Sequence, residues 1–380
     1  MKKIIFVNNP AAKHGGALTI LKEFIIEAAQ KCRDDFLFYI FCTADLQEYE
    51  TENVKIVNDI KVRSWKERIY WDMNGLKKWS TENKIKPNLI ISLQNTGVFG
   101  FKKIPKIIYL HQSIPYYKEF HWNPFKKQER IYWFYKHIYK QIIHHSVKGN
   151  VVVLQTEWMK QRVIKEHKLN EKNLFVIRPK ISVLKVENQN EVIDANHEVK
   201  LFYPAAPEIY KNHKILIEAM KELKSRNKEL NFHLYLTIDK KHPNVTELVE
   251  CIERFQLDTQ VSFVGQLSYK DVVQLYIQCD IVLFPSYLET FGLPLLEAAY
   301  LNKKIVAADL EYSREVLKNY NGVNFAEYNN PLSWENEILN AVFDQKKRKL
   351  DFPKYQNETS FIRLIKDLSR NESIVSEEEA

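Results

Sequence analysis

Short apolar runs alternate along this chain with segments in which apolar residues return every third or fourth position. In the first half the runs are KIIFVN (3–8), FLFYIFC (36–42), LIISLQN (89–95), KIIYLHQ (106–112), VVVLQT (151–156) and LFVIRP (174–179). They are nearly continuous in apolar residues, as expected of parallel strands covered on both faces. Segments 17–31 and 157–167 carry the helical period. This alternation predicts an α/β domain. The pattern pauses over the polar stretch SVLKVENQNEVIDANHE (182–198), which reads as a linker. A second series follows: KLFYP (200–204), FHLYLTI (232–238), VSFVG (261–265), DIVLFPS (280–286), KIVAAD (304–309) and GVNF (322–325), with helices expected over 211–228, 270–278 and 332–347. The expected architecture is two doubly wound Rossmann-like domains, residues 1–185 and 186–352, facing across a cleft. A C-terminal helix, about 355–372, returns to the first domain. Ligands of such sheets sit beyond the carboxyl ends of the strands, so the cleft is the default site.

Composition narrows the class. With 380 residues the chain exceeds one ordinary core. Its balance of 45% hydrophobic and 27% charged residues is that of a soluble globular protein. The net charge of +8 favours an anionic partner, whether nucleotide, membrane or nucleic acid, and does not choose among them. Cys32, Cys42, Cys251 and Cys279 are scattered without metal-ligand spacing, and read as reduced core residues in a cytosolic setting. The apolar run 4–7 is far too short for a signal peptide, and no later stretch approaches the roughly 18 residues of a membrane span. The expectation is a soluble or peripherally bound protein. The acidic end NESIVSEEEA reads as frayed.

The most informative stretch is FPSYLETFGLPLLEAA (284–299), in which Glu289 and Glu297 flank a Gly-Pro turn. A buried strand ends here, the chain turns at Gly292, and Pro294 suits the first position of a helix, where its missing N–H costs nothing. The helix N-terminus then points at the strand's carboxyl end, and its free N–H groups suit a phosphate. Gly292 admits backbone close to such a guest. Glu289 hangs in the loop and Glu297 is expected in the first helical turn. One acid can reach a reacting group while the other grips a diol such as ribose. Taken singly, Glu289 reads as a solvated loop acid and Glu297 as a complement to the helix dipole; the joint pattern of strand, acid, glycine, proline and acid points to function.

This segment resembles the E-x7-E signature of nucleotide-sugar glycosyltransferases with the GT-B fold, family 4. Other pieces fall in that family's order: IIFVNNPAAKHGGALTIL with Gly15 and Gly16, IIYLHQSIPYY with His111, VVVLQTEWMKQRV, FYPAAPEIYKNHKILIEAM with Lys211, FVGQLSYKDVVQLYIQCDIVLFPS, and DLEYSREVL. The resemblance runs from residue 4 to about 342 and is most specific over 263–316. It implies that Glu289 contacts donor-sugar hydroxyls and helps place the donor for transfer. Glu297 would hold the ribose hydroxyls. Lys211 and the N–H groups near Gly292 and Leu293 would neutralise the diphosphate leaving group, with Gly16 close by. His111 would face the transferred sugar. Charge control at the departing diphosphate is what such chemistry demands. The family usually retains anomeric configuration. One departure stands out. The family often carries an arginine shortly before the lysine, where this chain has Pro204, Ala205 and Ala206; that phosphate contact is missing or supplied from elsewhere, such as Lys214 or a residue of the first domain.

Other readings are weaker. Alone, Lys211 is an exposed helix-start lysine, His111 a core histidine, and His144 and His145 helix-end residues that suit the dipole. Gly15–Gly16 is not a full G-x-G-x-x-G, and no acid ends the second strand, which disfavours a dehydrogenase. No Asp-x-Asp occurs, so no metal is expected to assist the leaving group. A glycosidase would need its two acids astride the scissile bond. A catalytically silent scaffold subunit is the alternative of a different class, with a phosphorylase or epimerase of the same fold behind it. The expected partners are a nucleotide-diphosphate sugar as donor substrate, a saccharide acceptor that is lipid-linked, and no nucleic acid. The stretch 116–140 is dense in aromatics and carries Lys118, Lys126, Lys127, Arg130, Lys136 and Lys140. Rings such as Trp122 and Phe125 suit a headgroup zone and the cations suit anionic lipid, so peripheral contact at the inner face of the cell membrane is expected. The same stretch also reads as a helix with its rings packed inward, or as a stacking surface for single-stranded nucleic acid.

Overall fold

The computed structural model describes residues 2–13, 15–179, 198–350 and 360–370. They divide into two compact units, 2–179 with 360–370, and 198–350. The predicted linker over 182–198, save its last residue, and the acidic end 371–380 lie outside the described residues, as does the boundary at 185/186.

The first unit is built on seven parallel strands: β1 (Lys3–Asn8), β2 (Phe36–Phe41), β3 (Val54–Val57), β4 (Leu89–Ser92), β5 (Lys106–Tyr109), β6 (Val151–Leu154) and β7 (Leu174–Val176), in the order β3-β2-β1-β4-β5-β6-β7. The second is built on β8 (Glu198–Tyr203), β9 (Asn231–Leu236), β10 (Val261–Phe263), β11 (Ile281–Phe284), β12 (Lys304–Ala308) and β13 (Val323–Ala326), in the order β10-β9-β8-β11-β12-β13. Both are doubly wound Rossmann-like sheets. The order reverses between β1 and β4 in one, and between β8 and β11 in the other. Such a reversal leaves a crevice at the strands' carboxyl ends.

Alternation within strands builds both faces of the first sheet. In β1, Ile5 and Val7 enter one apolar cluster and Phe6 enters the other. The Phe6 ring meets Phe41 at 5.0 Å and Trp79 at 5.7 Å, both edge to face. Each such fully buried side chain contributes about 1.5–3 kcal/mol. The helix Phe361–Arg370 packs on this unit, burying Ile362, Leu364 and Ile365 in the cluster of Ile5 and Val7. All four cysteines are buried and free.

Every predicted strand is present, but several stop short of their predicted carboxyl ends. β4 stops at Ser92 and β5 at Tyr109. The polar residues that follow leave the ladder; Asn95 takes the left-handed conformation at φ 71°. β3 escaped the pattern because it is a four-residue edge strand with one buried face. The helix predicted from 211 begins at His213, because Ile209–Lys211 form a separate 3-10 turn and Asn212 breaks the path at φ 57°. In the first unit two helices each widen into a π turn, at Trp71–Gly75 and at Tyr135–Tyr139. Such widenings often mark functional places.

Candidate functional site

In the second unit the loops that leave β8 and β11 lie at the reversal of strand order. The first carries Lys211 and the second Glu289. The structure brings them together: Lys211 Nζ donates to Glu289 Oε1 at 2.5 Å, both side chains being largely buried at 17% and 14% exposure. The two loops are stitched to one another. The Tyr287 N–H donates to Tyr210 O at 3.0 Å, and Ser286 Oγ donates to the same carbonyl at 3.3 Å. Tyr203, the last residue of β8, donates its hydroxyl to Lys211 O at 2.8 Å. Asn212 Nδ2 donates to Pro285 O and Tyr328 O, at 3.3 and 2.8 Å. The lysine is therefore presented by a braced turn and not by a mobile surface chain.

Gly292 follows at φ 83°, a left-handed conformation that glycine adopts without strain, and it caps the helix Leu293–Tyr300. Leu293, not Pro294, opens that helix; Pro294 is its second residue. Proline has no N–H, and the Leu295 N–H is bonded to Gly292 O at 3.0 Å. The N–H groups of Gly292 and Leu293 are the donors this end can offer an anion.

Glu297 is corrected by one turn. It stands in the second turn of the helix, and the first turn carries no acid. It is therefore not a complement to the helix terminus, whose field falls off within the first turn. Tyr276 donates its hydroxyl to Glu297 Oε2 at 3.3 Å and to Pro294 O at 3.2 Å. Burial raises the Glu297 carboxyl above its ordinary range, against the lowering effect of that hydrogen bond. Lys214, one candidate to stand in for the missing arginine, is exposed. Its Nζ is engaged by Glu247 Oε1 at 2.5 Å on the exposed side of the following helix.

The first unit holds the other two predicted residues. Gly16 lies at the start of the helix Gly15–Lys31, with open space where a side chain would project. His111 lies two residues beyond β5. Its backbone N–H donates to Asn95 Oδ1 at 2.7 Å, and Asn95 Nδ2 stands 3.4 Å from its Nε2. Burial, with Arg68 second, pushes the imidazole down to about 4, so it is neutral at physiological pH.

A buried polar network that sequence reasoning missed surrounds it. Asp72, in the first π turn, accepts from Gln94 Nε2 at 2.7 and 3.0 Å and from Asn8 Nδ2 at 2.9 Å. Arg68 Nη2 donates to Gln94 O at 2.8 Å and Tyr139 OH at 3.1 Å, the tyrosine ending the second π turn. Burial pushes the Asp72 carboxyl up to about 6, with Arg68 opposing. A signal for this network was present: VNN, LQNT, LHQ and LQT each put an amide or imidazole directly after an apolar strand run.

Aromatic packing also corrects the stretch 116–140. Trp122 is 9% exposed and lies over Tyr132 at 4.7 Å between ring centroids, so it is a core ring. Lys136 Nζ is capped by Tyr117 O at 2.9 Å, and Lys140 pairs with Glu166. Phe125 alone of the two named rings is free to meet a surface, at 91% exposure.

Residues 186–357 match the family model of glycosyl transferases group 1. The O-antigen chain mannosyltransferase of Salmonella typhimurium is 28% identical over 93 residues, and an uncharacterized glycosyltransferase of Methanocaldococcus jannaschii is 29% identical over 139 residues. These alignments span 24% and 36% of this chain, and only 26% and 36% of the curated relatives' length. The solved structure of Anabaena HepE in complex with UDP and glucose is 18% identical, with a TM-score of 0.61 over 91% of each chain.

Proposed function

We propose, for a chain with the two-domain GT-B fold whose second unit matches the group 1 glycosyl transferases, that it moves a sugar from a nucleotide-diphosphate sugar to a saccharide acceptor. The observation that carries this reading is the braced Lys211–Glu289 pair at the carboxyl edge of the second sheet, in the loop that leads to the Gly292 cap. Before the donor arrives, each side chain holds the other's charge. A diphosphate competes for the ammonium, and the N–H groups of Gly292 and Leu293 add neutral donors. As the bond to the sugar breaks, negative charge grows on the departing diphosphate, where these preorganised groups act most strongly. Glu289, released from the lysine, takes sugar hydroxyls. Glu297 takes the ribose diol, its carboxyl oriented by Tyr276. Within the first unit, Gly16 leaves open space at a helix start and His111 offers a neutral hydrogen-bonding group, the features the resemblance assigns to donor contact.

The finer features of the reading are retention of anomeric configuration, an acceptor linked to lipid, assembly of surface polysaccharide or lipopolysaccharide, and a leaving group stabilised without metal. The Salmonella relative's name supports the third, and the lack of any Asp-x-Asp pair supports the last. Release of nucleoside diphosphate from a panel of nucleotide sugars, with and without saccharide acceptors and with EDTA, tests the reading. Acceptor-dependent release that survives EDTA is expected. A loss restored by Mn²⁺ overturns the metal-free step, and no release from any donor overturns transfer in favour of a silent scaffold.

Contact with an anionic bilayer is the second part of this reading. The exposed Phe125 and Ile131 stand beside Lys126, Lys127 and Arg130 in sequence, and favour it. Each cation near such a surface is worth about 1 kcal/mol. Sedimentation with anionic liposomes is expected at low salt and is expected to fail after Lys126, Lys127 and Arg130 are changed together to Glu. Wild-type protein left in the supernatant excludes it.

A further inference from the structure

The helix Phe361–Arg370 crosses the first unit from one edge of its sheet to the other. At its start the Phe361 ring meets Tyr109, the last residue of β5, at 5.3 Å between centroids. In its later turns Lys366 Nζ stands 3.7 Å from Asp35 Oδ2, just before β2, and Ser369 O accepts from Lys3 Nζ, in the first residue of β1. The helix therefore ends at the amino edge of the sheet, opposite the strand ends that carry His111 and Gln94.

That edge is basic. β1, β4, β5 and β6 are consecutive neighbours and parallel, so their starts share one edge. Lys2 and Lys3 stand at the start of β1, Lys86 just before β4, Lys102 and Lys103 just before β5, and Lys148 just before β6. With strands about 4.8 Å apart, the strip spans roughly 14 Å. All six lysines are exposed, and none makes an ion pair among the described residues. The acids nearest in sequence are engaged or lie to one side. Glu82 pairs with Lys78 at 3.7 Å, Asp35 pairs with Lys366, and Asp34 precedes β2, beyond the end of the strip. Like charges gathered along one edge repel one another, and an anionic partner relieves that repulsion. The residues that follow the helix, NESIVSEEEA (371–380), carry Glu372, Glu377, Glu378 and Glu379 and no cation. Ten residues can reach about 33–36 Å, well beyond the span of the strip.

We propose that the amino edge of the first sheet is a docking surface for the chain's own acidic segment 371–380, Glu372 meeting Lys86 and Glu377, Glu378 and Glu379 meeting Lys102, Lys103 and Lys148. The helix delivers the segment beside Lys3, at one end of the strip. Its tether gives it a local concentration in the millimolar range, which a free polyanion has to exceed. Each exposed pair is weak alone and screened by salt, so the contact works as a set and loosens as ionic strength rises. Docked there, the segment clasps the helix Phe361–Arg370 to the sheet and masks the strip from other polyanions, nucleic acid and anionic lipid included. The strip lies opposite the edge of His111, and the clasp does not depend on whether the chain transfers sugar.

Carbodiimide coupling of the full chain at low salt, followed by peptide mass mapping, tests the contact directly, because it joins a carboxylate to an amine only where the two meet. An equal mixture of ¹⁴N- and ¹⁵N-labelled chains separates coupling within a chain from coupling between chains. The expected products join 371–380 to peptides bearing Lys86, Lys102, Lys103 or Lys148 of the same chain, and they fade at high salt. Coupling to Lys126 and Lys127 instead, coupling only between chains, or no coupling of this segment overturns the proposal. Masking has its own readout in heparin binding at low salt. Changing Glu372, Glu377, Glu378 and Glu379 together to Gln is expected to tighten heparin at least fivefold, and adding Lys102→Glu and Lys103→Glu is expected to abolish that gain. Heparin binding unchanged by the four glutamines, or a gain that survives the two lysine changes, contradicts masking of this strip.

Discussion

The two sheets reverse their strand order at equivalent places, and the chain puts opposite chemistry there. Beyond β8 and β11 stand a lysine, a carboxylate and a helix N-terminus. Beyond β1 and β4 stand asparagines and a glutamine, with a neutral histidine next to them. There the carboxylate of Asp72 is turned inward against Asn8 and Gln94. The fold supplies the crevice twice; the residues just past the strand ends decide what each crevice can hold. Charge in one suits a diphosphate whose charge grows during reaction. Neutral amides in the other are tied into the unit's own buried network.

Changes at the charged edge should therefore strike turnover and spare the fold, and the largest effect is expected at Glu289. Glu289→Gln keeps an oxygen that can accept from Lys211, so the loops stay stitched, but a neutral amide cannot act as the carboxylate does. Transfer is expected to drop to background with an unchanged melting temperature; near-normal turnover removes Glu289 from the chemistry. Lys211→Ala comes next. Losing one charge-stabilising donor costs about 2.7–4 kcal/mol of barrier, or roughly 10²–10³ in turnover. A large fall in melting temperature at an unchanged rate makes Lys211 a structural partner of Glu289 and nothing more.

The smallest effect sharpens the contrast from the neutral edge. His111 titrates near 4 when folded and about 6.5 when free, so the unfolded chain binds more protons across that window. Its contribution to stability is present above about 6.5 and is lost as pH falls towards 4. Asp72 runs the other way: its folded value near 6 exceeds its free value of 3.8, so its contribution falls as pH rises through that range. His111→Gln should remove the first slope and leave the second. The gap in stability between wild type and variant, read by hydrogen exchange in peptides from β4 and β5, is expected to widen in favour of wild type from pH 4 to 6.5. A constant gap means that His111 is not held neutral by the fold.

Much of this arrangement was legible in the sequence, for definite reasons. Continuous apolar runs located the strands because parallel strands are covered on both faces. The order of acid, glycine, proline and acid located the charged edge because each residue type has a fixed task at a strand-to-helix turn. The neutral edge was not legible as a network. Asparagine and glutamine have no charge to announce them, and their meaning depends on four strands brought together from residues 9 to 155. Asp72 was hidden because nothing local shows that a π turn directs it inward. Trp122 was misread because composition cannot tell a ring that packs on Tyr132 from one that meets solvent.

On the proposed function, the charged edge of the second unit holds a nucleoside diphosphate. Thermal unfolding of the wild type and Lys211→Ala, each titrated with a panel of nucleotide sugars and their free diphosphates, tests it most directly. At one hundred times its Kd, a true donor is expected to add about 2.7 kcal/mol of stability to the wild type. The gain should largely vanish in Lys211→Ala. A panel without any stabilising nucleotide, or one that stabilises the variant as well as the wild type, contradicts the claim.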